Sequence, residues 1–329
     1  MSGDRPDLGY NLLRMPNRYA YLGPEGTFTE AALRALEPGV APEDTVPSDG
    51  VDAVFAAVRR GEATAGVVPL ENSVEGGVTA TLAELINGEP LIITAEVEVP
   101  VEFFLFARGG ATLADIKRVA THSHALAQCR GWLSRHLPHA EATTVSSTAA
   151  AARAVAEPGA PYDAAISARI AGERYGLSPI AQDIGDRSEA ATRFVRIARP
   201  GPLPEPTGTD RTSLVAFLTD DHPGALAELL DQFAVRGVNL TRLESRPTGD
   251  GLGRYCFFLD ADGHVAEARV GEALMGLRRI CTDIRFLGSY PRSAAGNDYT
   301  PFMPSRSNSN ADFHAAAEWL ERVRSGRIR

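Results

Sequence analysis

Nine residues past the middle of the chain, Pro200 to Gly208 (PGPLPEPTG), hold four prolines and two glycines. Proline brings no N–H to a ladder and breaks a helix interior, and glycine loses the most freedom on ordering, so neither element runs through this stretch. The chain is divided there into a longer segment and a shorter one. With 329 residues, both segments are long enough for substantial cores. The expected organisation is a flexible N-terminus over 1–17, a domain over 18–199, a linker over 200–210, a second domain over 211–290 and a tail over 291–329 that contains a helix.

Strand-like and helix-like runs alternate before the linker. Tyr19 to Leu22 reads as a strand, followed by a Gly23 to Gly26 turn and a helix whose N-cap is Thr27, with Glu30 at capping-box spacing. Such a turn leaves backbone N–H groups facing outward, where they attract anions, although in isolation a plain tight turn is the better reading. Ser48 is expected to cap a helix over 49–60, with Val51, Val54, Phe55 and Val58 at i, i+3, i+4, i+7. A strand over 64–70 delivers Glu71-Asn72-Ser73 to its carboxyl end, where caps and donors to a substrate oxygen are equally good readings of Asn72 and Ser73. Strands on either side of Pro100 and at 118–121 follow. Thr121-His122-Ser123-His124 then leads into a helix over 125–136. Two histidines without a third ligand at metal spacing favour capping or substrate hydrogen bonding over zinc. Further alternation through 143–183 predicts an α/β region of mainly parallel sheets in two lobes, split near 100 and 180, with a site in the cleft between them.

That region ends in Asp183 to Ile197, where a polar loop feeds a strand that opens with Thr192-Arg193-Phe194. A hydroxyl beside a guanidinium suits an anionic substrate, because Arg is a rigid bidentate donor to carboxylate. Read alone, a surface Arg on an ordinary strand is the favoured reading. Beyond the linker the order is βαββαβ between Arg211 and Tyr290, a ferredoxin-like sandwich. Pro223-Gly224-Ala225-Leu226 opens its first helix with N–H groups able to hold a carboxylate. Over 312–323, Phe313, Ala317, Leu320 and Val323 predict one amphipathic helix.

Composition limits the partners. A net charge of −9 without a dense basic run excludes nucleic acid as the expected partner. Cys129, Cys256 and Cys281 are odd in number, far apart and without a Cys-x-x-Cys pair, so free buried thiols in a reducing cytoplasm are expected. Met1 to Arg18 has no apolar signal core, and no run reaches the ~20 apolar residues of a membrane span. The expected location is cytoplasmic, with neither metal nor cofactor.

Together these stretches resemble the prephenate dehydratase family, enzymes that make phenylpyruvate on the route to phenylalanine. The resemblance spans about Arg18 to Arg292. It rests on Tyr21-Leu-Gly-Pro-Glu-Gly-Thr-Phe-Thr-Glu, Val68-Pro-Leu-Glu-Asn-Ser-Val-Glu-Gly-Gly-Val, His122 to Cys129, Thr192-Arg193-Phe194, and Gly224-Ala225-Leu226 with Glu244-Ser245-Arg246-Pro247. The second segment looks like an ACT domain, and the first is expected to be periplasmic-binding-protein-like.

The resemblance implies the following roles. Thr192 matches the family's essential threonine and aids departure of the ring hydroxyl. Gly26, Thr27, Asn72, Ser73, Thr121, His122, Arg193 and Phe194 bind substrate, with Arg193 as a carboxylate holder and Glu71 as proton source or orienter. Pro223, Gly224, Ala225, Leu226, Asn239, Leu240, Thr241, Glu244, Ser245, Arg246 and Pro247 form a phenylalanine site between paired ACT domains, which implies a homodimer or homotetramer. One departure concerns His122-Ser123-His124, where the family usually has His-Pro-Gln. Only Met1 to Ala20 precede the first motif, too few for a fused helical mutase, so one dehydratase plus its regulator is expected. Arogenate dehydratase is the near alternative, and a non-catalytic amino-acid-responsive binding protein the distant one.

Overall fold

The computed structural model describes residues 17–187, 189–218, 222–248, 255–293 and 307–327. Residues 1–16 of the expected flexible N-terminus, residues 249–254 and residues 294–306 of the tail lie outside the described residues. The first lobe is built from β1 (Tyr19–Leu22), α1 (Phe28–Leu36), β2 (Thr45–Ser48), α2 (Val51–Arg59), β3 (Ala65–Asn72), the two-residue β4 (Gly76–Gly77), α3 (Thr79–Ile86) and β5 (Ile92–Pro100). The second lobe runs through β6 (Phe104–Ala107), β7 (Arg118–Thr121), α4 (Ser123–Gln128), α5 (Arg130–His136), β8 (Glu141–Thr144), α6 (Thr148–Ala156), β9 (Ala164–Ser167), α7 (Arg169–Arg174) and β10 (Ser178–Ala181). β11 (Ala191–Ala198) then returns to the first lobe. After the linker come β12 (Asp210–Leu218), α8 (Ala225–Ala234), β13 (Leu240–Pro247), β14 (Tyr255–Asp262), α9 (Ala268–Ile280), β15 (Cys281–Pro291) and α10 (Asn310–Arg324). Among the described residues no helix is long and apolar enough to cross a membrane.

The strand orders are β2-β1-β3-β11-β5 in the first lobe, β10-β6-β9-β7-β8 in the second and β13-β14-β12-β15 beyond the linker. The first two sheets are mixed rather than mainly parallel. β11 re-enters the first lobe from the cleft end, so it must run antiparallel to both β3 and β5. For the same reason β10 pairs antiparallel with β6 before the chain leaves the second lobe. The carboxyl ends of β3 and β5 therefore meet the first residues of β11 at one edge, facing the other lobe.

Local details differ from expectation where tertiary contacts intervene. Ser48 ends β2 instead of capping α2, whose N-cap is Gly50 with no side-chain bond. The single helix expected over 125–136 is two, broken at Cys129, because Asp186 from a distant loop accepts hydrogen bonds from the N–H groups of Gly131 (2.8 Å) and Trp132 (3.0 Å) and caps a new helix start.

The third sheet carries α8 and α9 on one face, over a core that includes Leu214, Leu229, Phe233, Leu259 and Leu277. Its other face lies on the first lobe: Val215, Cys256, Phe258, Leu287 and Tyr290 join one apolar cluster with Val54, Phe55, Leu85, Ile93, Val195 and Ile197. The approach is close enough that a Cβ on Gly288, whose φ is +141°, would stand 2.2 Å from the Ile93 carbonyl oxygen. Charges are buried within this boundary. Arg193, 7% exposed, donates to Asp260 Oδ2 at 2.6 Å and lies 3.6 Å from Glu96 and 3.7 Å from Glu71. Arg211 donates to Glu96 at 2.5 Å, Arg242 lies 3.7 Å from Glu71, and Ser213 links Asp260 (2.6 Å) to the Tyr290 hydroxyl (2.7 Å). Arg242 is also held by Glu244, which pairs in turn with Arg246, so four guanidinium groups face four carboxylates and the network, buried except toward Glu71 and the Glu244–Arg246 pair, is close to neutral.

Burial pushes the Asp260 carboxyl up, but Arg193, Arg211, Arg242 and the Ser213 hydroxyl outweigh it and bring it to about 2. A carboxyl held below its unfolded value of about 3.9 contributes stability that is whole above that pH and lost as pH falls toward 2. Thermal melts are expected to show this loss between about pH 4 and pH 2. Asp260→Asn, which strands Arg193, should cost about 3–5 kcal/mol at neutral pH and flatten that acid decline.

Candidate functional site

A cavity of about 980 Å³ lies between the first two lobes, a size suited to a small-molecule ligand. Its first-lobe wall comes from the start of α1, the end of β3 with the loop through Gly77, and the start of β11; its second-lobe wall comes from α4 and α6. β11 contributes alternate residues, Thr192 and Phe194.

Thr192 is held by Asn72, its cross-strand partner in the β3–β11 ladder. Asn72 Oδ1 accepts from the N–H groups of Val74 (2.8 Å) and Glu75 (3.1 Å), which orients the amide so that Nδ2 donates to Thr192 Oγ1 at 2.8 Å. With one lone pair occupied by that donor, the Thr192 hydroxyl hydrogen is free for an acceptor in the cavity. Phe194 packs with Tyr21, Leu33 and Val67 in one apolar cluster.

His122 also lines the cavity and is the N-cap of α4, its Nδ1 accepting from the His124 N–H at 3.4 Å. This assigns the proton of the neutral ring to Nε2. Burial first, then the neighbouring His124 charge, lower the His122 pKa, while Glu75 raises it. At the cavity mouth His124 Nδ1 of the second lobe lies 2.8 Å from Glu75 Oε2 of the first, so the residue at the departure noted above bridges the lobes.

Several expected site residues are placed elsewhere. Arg193 alternates with Thr192 and Phe194, so its side chain leaves the opposite sheet face and is taken by Asp260; it does not line the cavity. Glu71 alternates with Asn72 in the same way and faces Arg193 and Arg242. Ser73 is exposed and pins the start of β11, its Oγ accepting from the Ala191 N–H at 3.0 Å. Thr121 is buried and donates to the Ile166 carbonyl at 2.9 Å. Gly26 does not offer its N–H to a ligand, because the buried Glu30 carboxylate accepts it at 2.5 Å. Thr27 does line the cavity, and it caps α1 by accepting from the Glu30 N–H at 3.4 Å.

Sequence reasoning placed His122 on the second-lobe wall but missed the part of that wall built by α6. Ser146, Ser147 and Thr148 open α6 beside the cavity, and Arg153 is the one Arg or Lys among the residues that line it. Ser147 is used as the cap of α6, accepting from Ala150 N–H at 2.9 Å. The available signal was a lone Arg in the Ala-rich run 148–156, on the same helical stripe as Ala150.

In the C-terminal domain, Gly224 takes φ +96° as N-cap of α8 and Leu226 is 37% exposed. β13 is an edge strand whose Thr241, Leu243, Ser245 and Pro247 are exposed. Glu244 and Arg246, expected at an effector site, turn inward: Arg246 donates to Glu244 Oε1 (2.8 Å), Thr79 Oγ1 (3.1 Å) and the Gly77 carbonyl (3.3 Å). Burial pushes the Glu244 carboxyl up, but hydrogen bonds from Arg246 and Arg242 outweigh it and hold it below the usual range. Asn239 donates to Asp262 at 2.8 Å, and Leu240 packs against the domain's own core.

A family model described as prephenate dehydratase matches residues 19–202, and one described as ACT domain matches 212–279. The chain is 48% identical over 311 residues to a prephenate dehydratase of Amycolatopsis methanolica, covering 94% of this chain and 99% of that one. It is 46% identical over 320 residues to one of Mycolicibacterium vanbaalenii, covering 94% and 98%. A solved structure of prephenate dehydratase in complex with L-Phe from Arthrobacter aurescens superposes with a TM-score of 0.86 at 51% identity, covering 94% of this chain and 99% of that chain.

The lobes touch closely beneath the cavity. Gly26 has φ +84°, and a Cβ there would stand 3.2 Å from Ala171 Cα of α7. Gly26→Ala is expected to combine backbone strain with a wedge between the lobes, costing about 1–3 kcal/mol in a denaturant melt; an unchanged midpoint would contradict the placement.

Proposed function

The chain belongs to the prephenate dehydratase family, with an ACT domain behind the family's own domain, and from that premise we propose how its cleft converts prephenate to phenylpyruvate under phenylalanine control. The observation that carries the reading is the Asn72-oriented Thr192 hydroxyl on the cavity wall. Prephenate carries a ring carboxylate, a ring hydroxyl and a pyruvyl side chain. The bond to the ring carboxylate breaks and its electron pair enters the ring as the hydroxyl departs with a proton. The products are carbon dioxide, water and an aromatic ring. Thr192 donates a hydrogen bond to the leaving oxygen. A neutral alcohol is a weak acid, so its part is to lower the cost of charge on that oxygen or relay a proton.

Binding energy is best placed on the carboxylate that stays, because holding the departing one tightly would stabilise the ground state. Arg153 is the charge partner we assign to the pyruvyl carboxylate, with Ser146 and Thr148 beside it, in place of Arg193. The apolar lining residues Phe28, Phe103 and Phe194 offer the ring carboxylate no counter-charge. His122, with its proton on Nε2, and Thr27 complete the polar lining.

The effector reading places L-phenylalanine at the outer edge of the ACT domain, on the Pro223–Leu226 turn and the outward residues of β13, with a second copy of the chain completing the site. This implies a cytoplasmic homodimer or homotetramer. Light scattering with and without L-phenylalanine tests it, and a monomer under both conditions would overturn it.

Following phenylpyruvate formation from prephenate, and phenylalanine formation from arogenate, decides the substrate; prephenate turnover is expected. Thr192→Ala should lower kcat about 10²–10⁴-fold with Thr192→Ser keeping more. Arg153→Met should raise KM for prephenate about 10- to 100-fold through loss of a charged hydrogen bond. Parental kinetics in either variant would remove that residue from the mechanism.

A further inference from the structure

β13 meets the catalytic domain and the solvent on alternate residues. Thr241, Leu243 and Ser245 are exposed, whereas Arg242, Glu244 and Arg246 face the first lobe. The inward three converge on a short stretch of the cavity rim. Arg246 holds the Gly77 carbonyl and the Thr79 hydroxyl, and both residues line the cavity. Gly77 is gripped so closely that a Cβ there would stand 2.4 Å from Glu244 Oε2 and 2.8 Å from an Arg242 nitrogen. Arg242 in turn lies 3.7 Å from Glu71, which precedes Asn72 and pairs across the ladder with Arg193, the neighbour of Thr192.

We infer that Arg246 is a positioning residue that couples the ACT domain to the cleft: displacement of β13 by a ligand on its outer face is delivered through the Arg246 fork to the Gly77–Thr79 rim. The physical basis is that a strand moves as a unit, so a shift imposed on Leu243 and Ser245 moves the alternate side chains with it. A guanidinium bound to a carboxylate on one side and to a carbonyl and a hydroxyl on the other transmits that shift without slack. The rim is then held in one of two positions, and the substrate's affinity changes by the same factor as the effector's.

This coupling rests on the proposed effector reading, and the test separates the two. L-Phenylalanine affinity is measured by calorimetry on the full chain, with and without saturating phenylpyruvate as the cleft ligand. In the parent the ratio of the two affinities should lie in the range of about 5- to 150-fold. Arg246→Ala should bring the ratio below about 3-fold while kcat without effector stays within about 2-fold of parent, since the residue does not touch the cavity. Arg246→Lys keeps the charge opposite Glu244 but not the fork, so its ratio should fall between the two; it also serves if the Ala variant folds poorly. An undiminished ratio in both variants overturns the coupling alone. No L-phenylalanine binding in the parent overturns the effector reading and the coupling with it.

Discussion

A β-strand turns consecutive side chains to opposite faces, and at Thr192-Arg193 those faces belong to different tasks. Thr192 looks into the cavity, while Arg193 looks into the boundary with the ACT domain and is held by Asp260. The adjoining strand repeats the division, Asn72 toward the cavity and Glu71 toward the boundary, because the two strands pair in register there. A displacement of either strand is therefore felt on both sides of the sheet. The buried charges make this a specific contact: an ion pair taken out of water is costly unless every partner is present, and here the carboxylates and guanidinium groups balance.

The same boundary solves a problem of the ACT sheet. A βαββαβ unit covers one face of its sheet with its own helices and leaves the other bare. The bare face carries Val215, Phe258 and Tyr290, and the first lobe covers them in one shared apolar core. Regulatory and catalytic domains are consequently packed together within a single chain, and the motions available to one are limited by the other.

The cavity itself depends on two lobes meeting. Beneath it, the buried Glu30 carboxylate accepts from the Gly26 N–H, Arg34 and Arg174, the last reaching from the second lobe. At its mouth Glu75 meets His124. The Thr192 hydroxyl stands on one lobe and Arg153 on the other, so an anion held by both would itself be a bridge. Burial pushes the Cys129 thiol up to about 12, which with its place in the second-lobe core makes it an inert packing group.

Much of this was written locally. The Pro-rich break, the amphipathic stripe of α2, the Ala-rich α6 and the βαββαβ order follow from backbone chemistry and periodicity, which act over a few residues. The residues Thr192, Asn72 and Phe194 were legible as a site because they cluster in short motifs. Their neighbours Arg193 and Glu71, expected beside the substrate, leave the opposite face of the sheet, since a motif reports identity and not facing. The split of α4 from α5 at Cys129, set by Asp186, and the grip of Arg246 on Gly77 were decided only by the tertiary structure. So was the choice of Arg153 as the cavity's cation. The first two pair residues more than fifty positions apart, and the third turns on which face of a helix meets the cavity; neither quantity is contained in local sequence.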